Sequence, residues 1–280
     1  MSLTTSEQYC LDEVRRLDHD RYLTALFLPA EPRPAALALY AFNLEIARTR
    51  EIVSEPLLGQ IRLQWWRETI DGLFAGTPRE HPVVESLGAA IRRYDLPRDR
   101  LEALIDAREA DLDDGPPSDL QALERYAAET SGELSALVMQ TLTDSDATSI
   151  AAARQVGTAW AIIGLARAVG FHAQTQRIYI PEDLLSEYEV ERRRLFDLKP
   201  SAGLNRAIEH MVGRATALLA EARSVSADVP SAARRGLLLA SLADRHIAAI
   251  RKAGHDPFAI PAAPAAPVLR LAWAAWCGKY

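Results

Sequence analysis

The sequence predicts an all-α protein folded as a single domain. Three observations carry that expectation. Apolar residues recur at helical spacing along almost the whole chain, alanine- and leucine-rich stretches are long, and alternating β-branched runs are scarce. The breaks between these stretches are short, and none has the length of a linker between domains.

The elements follow in order. Pro29, Pro32 and Pro34 punctuate the approach to the first strong helix, expected over 34–53. Pro34 suits a first turn, where its missing N–H would lack a partner anyway. Pro56 ends that helix, because the residue before a proline is pushed out of the helical region. The next helix covers 58–74 and stops near Gly76 and Pro78. Helices are expected over 81–94, 98–112, 120–142 and 146–171, with GPPSD at 115–119 as a clear break whose Ser118 or Asp119 caps the next helix. QTQRIYIPEDLL, at 174–185, reads as irregular. Two further helices occupy 203–224 and 231–253. HDPFAIPAAPAAP is a proline-broken connector, and VLRLAWAAWCGKY is an amphipathic segment that packs back on the body. The domain is therefore drawn over 1–280, with 1–17 as a lead-in and 255–280 as connector and terminal helix.

Composition narrows the function classes. The chain has 280 residues, 49% hydrophobic and 25% charged, with a formal net charge of -6. No broad basic surface is implied, so nucleic acid is not an expected partner. Cys10 and Cys277 form neither a CxxC pair nor a metal-ligand spacing, which points to a reduced compartment. The polar N-terminal stretch lacks the apolar core of a signal peptide, and no run of about 18 uncharged apolar residues exists to span a bilayer. The expected setting is bacterial cytoplasm, or the matrix side in a mitochondrial relative, with peripheral contact to the inner membrane left open.

Common catalytic motifs are absent. His19, His81, His172, His210, His246 and His255 make no HExxH or HxxxH pair, and no GxSxG, P-loop or GxGxxG occurs. Trp65 and Trp66 read as core and groove wall. Glu109, Asp111, Asp113 and Asp114 read as a solvated acidic turn, with Asp111 and Asp106 as the remaining candidates for a cation.

Four stretches carry more information: LALYAF (37–42), RYAAETSGEL (125–134), GTAWAIIGLARAVG (157–170) and RIYIP (177–181). In this order they resemble the squalene/phytoene synthase family, over about residues 18–250. The resemblance implies an isoprenoid-synthase-type fold whose central cavity binds prenyl diphosphates through magnesium. Ionising an allylic diphosphate needs metal to neutralise the leaving group, and magnesium wants hard oxygen ligands. The family supplies carboxylates from two facing helices, using the one-face spacing of residues four apart.

At the matching positions this chain departs from the pattern. The first cluster, DDxxD, falls on Ala47, Arg48, Thr49, Arg50 and Glu51; a shifted reading uses Arg50, Glu51 and Ser54, with Glu55 alongside. The second, with Asn, Asp and Asp at i, i+4 and i+8, falls on Gly164, Ala168 and His172, with the intervening arginine kept as Arg167. No metal site and no catalytic residue is therefore assigned. Arg48 and Arg50 are expected to pair with Glu51, Glu55 or Glu68, or to bind phosphate as guanidinium forks. Gly164 and Ala168 are expected to pack closely and narrow the old cavity. Arg177 and Tyr179 are expected at the cavity mouth, Tyr179 as core with a polar tip.

DRYLTALFLPAEPR, YAFNLEIARTREIVSEP and IRLQWWRETI sharpen the resemblance to a divergent subgroup associated with assembly of respiratory complex I, NADH:ubiquinone oxidoreductase. That implies a non-catalytic assembly or interaction factor whose partners are complex I subunits or assembly intermediates. The competing class is a prenyl diphosphate transferase using Mg2+. A third is an isoprenoid or lipid binding protein without chemistry. Trp273, Trp276 and Lys279 mark the last helix, expected to seal the core and weighed as a contact surface.

Overall fold

The computed structural model describes residues 3–53, 55–143, 146–261 and 267–280. Its helices are α1 (Thr5–Leu17), α2 (His19–Ala25), α3 (Arg33–Ala47), α4 (Thr49–Ile52), α5 (Pro56–Ala75), α6 (Pro82–Tyr94) and α7 (Arg98–Asp106), then a 3-10 turn, Ala107–Leu112. They continue with α8 (Leu120–Ala127), a π-helical turn Ala128–Gly132, α9 (Glu133–Gln140), α10 (Ala147–Arg167), α11 (Val169–Gln174), α12 (Glu182–Glu187) and α13 (Arg192–Phe196). The last are α14 (Ala202–Ser224), a 3-10 turn Ala233–Leu237, α15 (Leu239–Lys252) and α16 (Pro267–Cys277). Among the described residues there is no strand. Ser54 and most of the 262–267 connector lie outside the described residues.

The capping chemistry places many of the boundaries. Thr4 and Glu7 form a capping box at the start of α1, each side chain accepting from the other's backbone N–H. That helix then buries Cys10 and Val14, so the segment expected as a lead-in is a helix packed on α3 and α6. Pro56 opens α5, and Gly76, left-handed with φ 77°, closes it. Asp119 caps α8 through the Ala122 N–H at 2.7 Å. Residues 174–185, expected to be irregular, instead contribute α12, which begins after Pro181 with Glu182 and Asp183 in its first turn.

Two apolar cores meet at α9. One surrounds α10 with α14 and α15; the other surrounds α3 with α1, α5, α6 and α7. Leu134, Leu137 and Val138 of α9 enter the second, and Met139 enters the first. Trp66 is buried, 5.3 Å from the Phe42 ring, while Trp65 stays half-buried beneath the Arg79 guanidinium, 5.0 Å away. Both cysteines are free thiols, Cys10 buried and Cys277 exposed. Burial pushes the Cys10 thiol up to about 11.

On α10 the close approach to a neighbouring segment is at Gly157, not Gly164. A Cβ on Gly157 would collide with the Ser131 carbonyl oxygen, and one on Gly132 would meet Thr158 Oγ1 at 2.6 Å. These glycines let α10 lie against the π-helical turn, so the π-helical backbone and the small residues explain each other. A Cβ on Gly164 would meet nothing within 4 Å. The expected narrowing at Gly164 and Ala168 is thus overturned, because that face of α10 borders open space. Gly157→Ala should destabilise the protein by about 1–3 kcal/mol through overpacking. Gly164→Ala should stabilise it by up to about 1 kcal/mol through helix propensity. Urea denaturation of the two variants checks the pair; equal effects would mean that α10 does not pack as described.

Candidate functional site

Both segments that carry the expected motif positions are broken helices. α3 ends at Ala47, and Arg48 takes φ -86° and ψ 5° before the short α4. α10 ends at Arg167, and Ala168 takes φ -88° and ψ 5° before the short α11. Neither break contains glycine or proline, so neither was visible as a boundary.

In the first segment the arginines are partly buried and are taken up by ion pairs. Arg48 Nε lies 3.5 Å from Glu51 Oε2, and Arg50 pairs with Asp114 at 3.2 Å rather than with a neighbouring glutamate. Glu68, an expected partner, is instead held by Arg79 at 2.7 Å. Glu51 and Glu55 are exposed. Exposed pairs of this kind contribute about 1 kcal/mol or less. Thr49 is buried, and Ala47 offers no ligand.

In the second segment a groove of about 430 Å³ is lined by Gly164, Arg167, Ala168, His246, Pro257 and Ile260, with Pro261 at its edge. Burial pulls the Arg167 guanidinium below its ordinary pKa, while the neighbouring Asp20 carboxylate opposes the shift. Asp20 itself pairs with His246 Nε2 at 3.2 Å. Burial works to raise the Asp20 carboxyl, but the His246 hydrogen bond and charge outweigh it and hold it below the usual range.

Between the segments lies a hydrogen-bonded polar cluster centred on Asp111. Asp111 is 5% exposed, so the expected solvated acidic turn is corrected at this residue, although Glu109, Asp113 and Asp114 are exposed. Tyr126 Oη donates to Asp111 Oδ1 at 2.7 Å, and Tyr179 Oη donates to the same oxygen at 3.1 Å. Arg108 Nη1 lies 3.3 Å from Asp111 Oδ2 and donates to Tyr126 Oη at 3.0 Å. Arg108 Nη2 reaches across to Asn43 Oδ1 on α3 at 3.1 Å. Arg177 donates to the Asp111 carbonyl, and also to the Asp113 carbonyl at 3.0 Å, pinning the turn that carries the carboxylate. The His172 ring stacks obliquely on Tyr179, with centroids 4.6 Å apart. Burial, then the Arg177 charge, lowers His172 to about 4, so the imidazole is neutral at physiological pH.

This cluster links Asn43 of the first segment to Tyr179 and His172 beside the second. Arg108 supplies the positive charge, and the Asp111 carboxylate is already engaged by a guanidinium and two hydroxyls. Asp106, the other candidate for a cation, is turned outward to Arg67 at 2.7 Å, and Glu109 joins the same arginine. Among the described residues no group of three His, Cys, Asp or Glu side chains is arranged to hold a metal. The donor set does not fit magnesium: Ala47, Arg48, Gly164 and Ala168 bring no carboxylate, and Glu51 is exposed beside an arginine. Arg108, Tyr126 and Asn43 were not singled out from sequence, although Tyr126 and Asn43 lie in or beside the quoted motifs.

Fold and site together define an all-helical protein of the prenyl-synthase type, with a paired arginine and aspartate between the two motif segments. The chain belongs to the squalene/phytoene synthase family, whose sequence profile matches residues 14–276. It is 31% identical to NADH dehydrogenase (ubiquinone) complex I, assembly factor 6 of Bos taurus, over 90% of this chain and 76% of that protein. It is 25% identical to phytoene synthase of Rhodobacter capsulatus, over 89% of this chain and 74% of that one. Squalene synthase HpnC from Alicyclobacillus acidocaldarius has the same fold, with a TM-score of 0.79 at 23% identity, covering 89% of this chain and 94% of that one. A dehydrosqualene synthase reaches a TM-score of 0.83 at 18% identity, with 98% and 95% covered.

Proposed function

We propose that this chain is a non-catalytic squalene/phytoene synthase family protein that acts as an assembly or interaction factor for respiratory complex I, without magnesium. The Arg108–Asp111 ion pair carries the non-catalytic half of this reading. It places a fixed, internally neutralised charge pair between two segments that each lack metal carboxylates. The complex I half rests on the likeness to assembly factor 6 over most of both chains. The partners would be complex I subunits or assembly intermediates. Work at the inner membrane's cytoplasmic face, or at the matrix face in a mitochondrial relative, follows from that reading. Among the described residues no helix is long and apolar enough to cross a membrane.

Two measurements test the two halves separately. Purified protein incubated with magnesium and farnesyl or geranylgeranyl diphosphate should release no product; turnover would overturn the non-catalytic half. Diphosphate that binds without turnover would instead direct attention to the groove beside Arg167, where a guanidinium can fork onto phosphate oxygens. Deleting the gene should lower NADH:quinone activity in isolated membranes. Unchanged activity, with complex I assembled normally, would end the complex I proposal.

A further inference from the structure

Helix α16 has two faces of opposite character. Leu271 and Ala274 are buried against the body, and the segment is tied down beyond them. Tyr280 Oη donates to the Ala222 carbonyl at 3.1 Å, and Arg223 Nε donates to the Tyr280 carbonyl at 2.6 Å. The other face carries Leu269, Trp273 and Trp276, which are 72%, 63% and 79% exposed. Their spacing of i, i+4 and i+7 sets them in one stripe. The two indole rings lie 5.4 Å apart. Sealing the core accounts for the first face only.

The charge around the stripe is opposite to that of the chain as a whole. The protein carries a net -6, yet 257–280 contains Arg270 and Lys279 and no acidic residue. The adjoining groove is lined by Arg223, Arg270 and Lys279 against one carboxylate, Asp244, which Arg223 holds at 2.8 Å and Arg270 approaches at 3.9 Å, so three cations share one acid. Arg234 approaches the same end of the helix beside Gly278.

We propose that the Leu269–Trp273–Trp276 face docks on an anionic phospholipid bilayer, with α16 lying in the plane of the interface. Indole combines an apolar ring with one N–H donor and favours the boundary between headgroups and acyl chains. Neighbouring cations draw such a helix to anionic headgroups. With 11 residues, α16 is about half the length needed to span a bilayer, so it lies on the surface. A second copy of this chain fits less well. A two-fold contact through the same face would set Arg270 and Lys279 of one copy against those of the other.

The test uses the full chain with vesicles of phosphatidylcholine alone, or of phosphatidylcholine and phosphatidylglycerol in equal parts. Co-sedimentation should occur with the anionic vesicles and weaken at high salt. Trp273→Ala/Trp276→Ala should reduce binding by about tenfold or more. Arg270→Glu/Lys279→Glu should remove the preference for phosphatidylglycerol. Both double variants should keep the parent's circular dichroism spectrum, because these side chains lie outside the core. No binding to anionic vesicles, equal binding to both compositions, or undiminished binding by the tryptophan variant would overturn the proposal. So would a dimer in sedimentation velocity that the tryptophan variant dissociates, since the face would then serve a second copy. None of these outcomes depends on complex I, so this proposal and the assembly role fail independently.

Discussion

Asp111→Ala is expected to destabilise the protein by about 3–5 kcal/mol, the usual cost of removing one partner from a buried ion pair. The Arg108 side chain is only 11% exposed, and Asp111 is its ion-pair partner. The substitution would leave that guanidinium with Tyr126 Oη and Asn43 Oδ1 alone. It would also strip an acceptor from the Tyr126 and Tyr179 hydroxyls. Burial already raises the pKa of both phenols above the ordinary range, so neither will ionise to replace the lost charge. Thermal unfolding should move down by on the order of 10 °C for a chain of this size. Arg108→Met should do comparable damage by stranding the carboxylate. The double variant Arg108→Met/Asp111→Ala should recover part of the loss, because neither charge is then left buried alone. If the double variant loses the sum of the single losses, the two residues are uncoupled and do not act as one buried pair.

The sequence made the helices legible because apolar period and proline or glycine punctuation are local signals. α5, α6, α10 and α14 begin within about two residues of their expected starts, where Pro56, His81, Asp146 and Ser201 mark the turn. The breaks at Arg48 and Ala168 escaped because no residue there forbids a helix; they arise from how the chain packs in three dimensions. The π-helical turn depends on Gly132 and Gly157, 25 positions apart by their numbers, meeting where α10 lies against the turn. The motif positions Ala47, Arg48, Gly164 and Ala168 could be read off the sequence, whereas the polar cluster around Asp111 could not. Four acids within six residues look solvated, and only the fold brings Tyr126 and Tyr179 onto one of them, with Asn43 holding the other end of its neighbour Arg108. The same local reading kept Gly164 and Ala168 in a packed face, because small residues four apart signal close approach without saying that a neighbour is present.

His172 makes the same cluster sensitive to acid. Its folded pKa is lowered from 6.5 to about 4, first by burial and then by the Arg177 charge, with Asp111 opposing. The unfolded chain therefore takes up a proton that the folded chain refuses as pH falls below about 6.5. Stability is fully present above that pH and is lost progressively down to about pH 4, below which both states carry the proton and this contribution levels off. A gap of about 2.5 units corresponds to roughly 3 kcal/mol, an upper figure because the ring is partly accessible. His172→Phe removes the titrating group while keeping a ring against Tyr179. Between pH 6.5 and pH 4 its urea midpoint should fall less steeply than that of the parent, while the two proteins stay close at pH 7.5. Parallel pH profiles would place the acid sensitivity in the carboxylate ion pairs instead and would mean that the imidazole is hydrated.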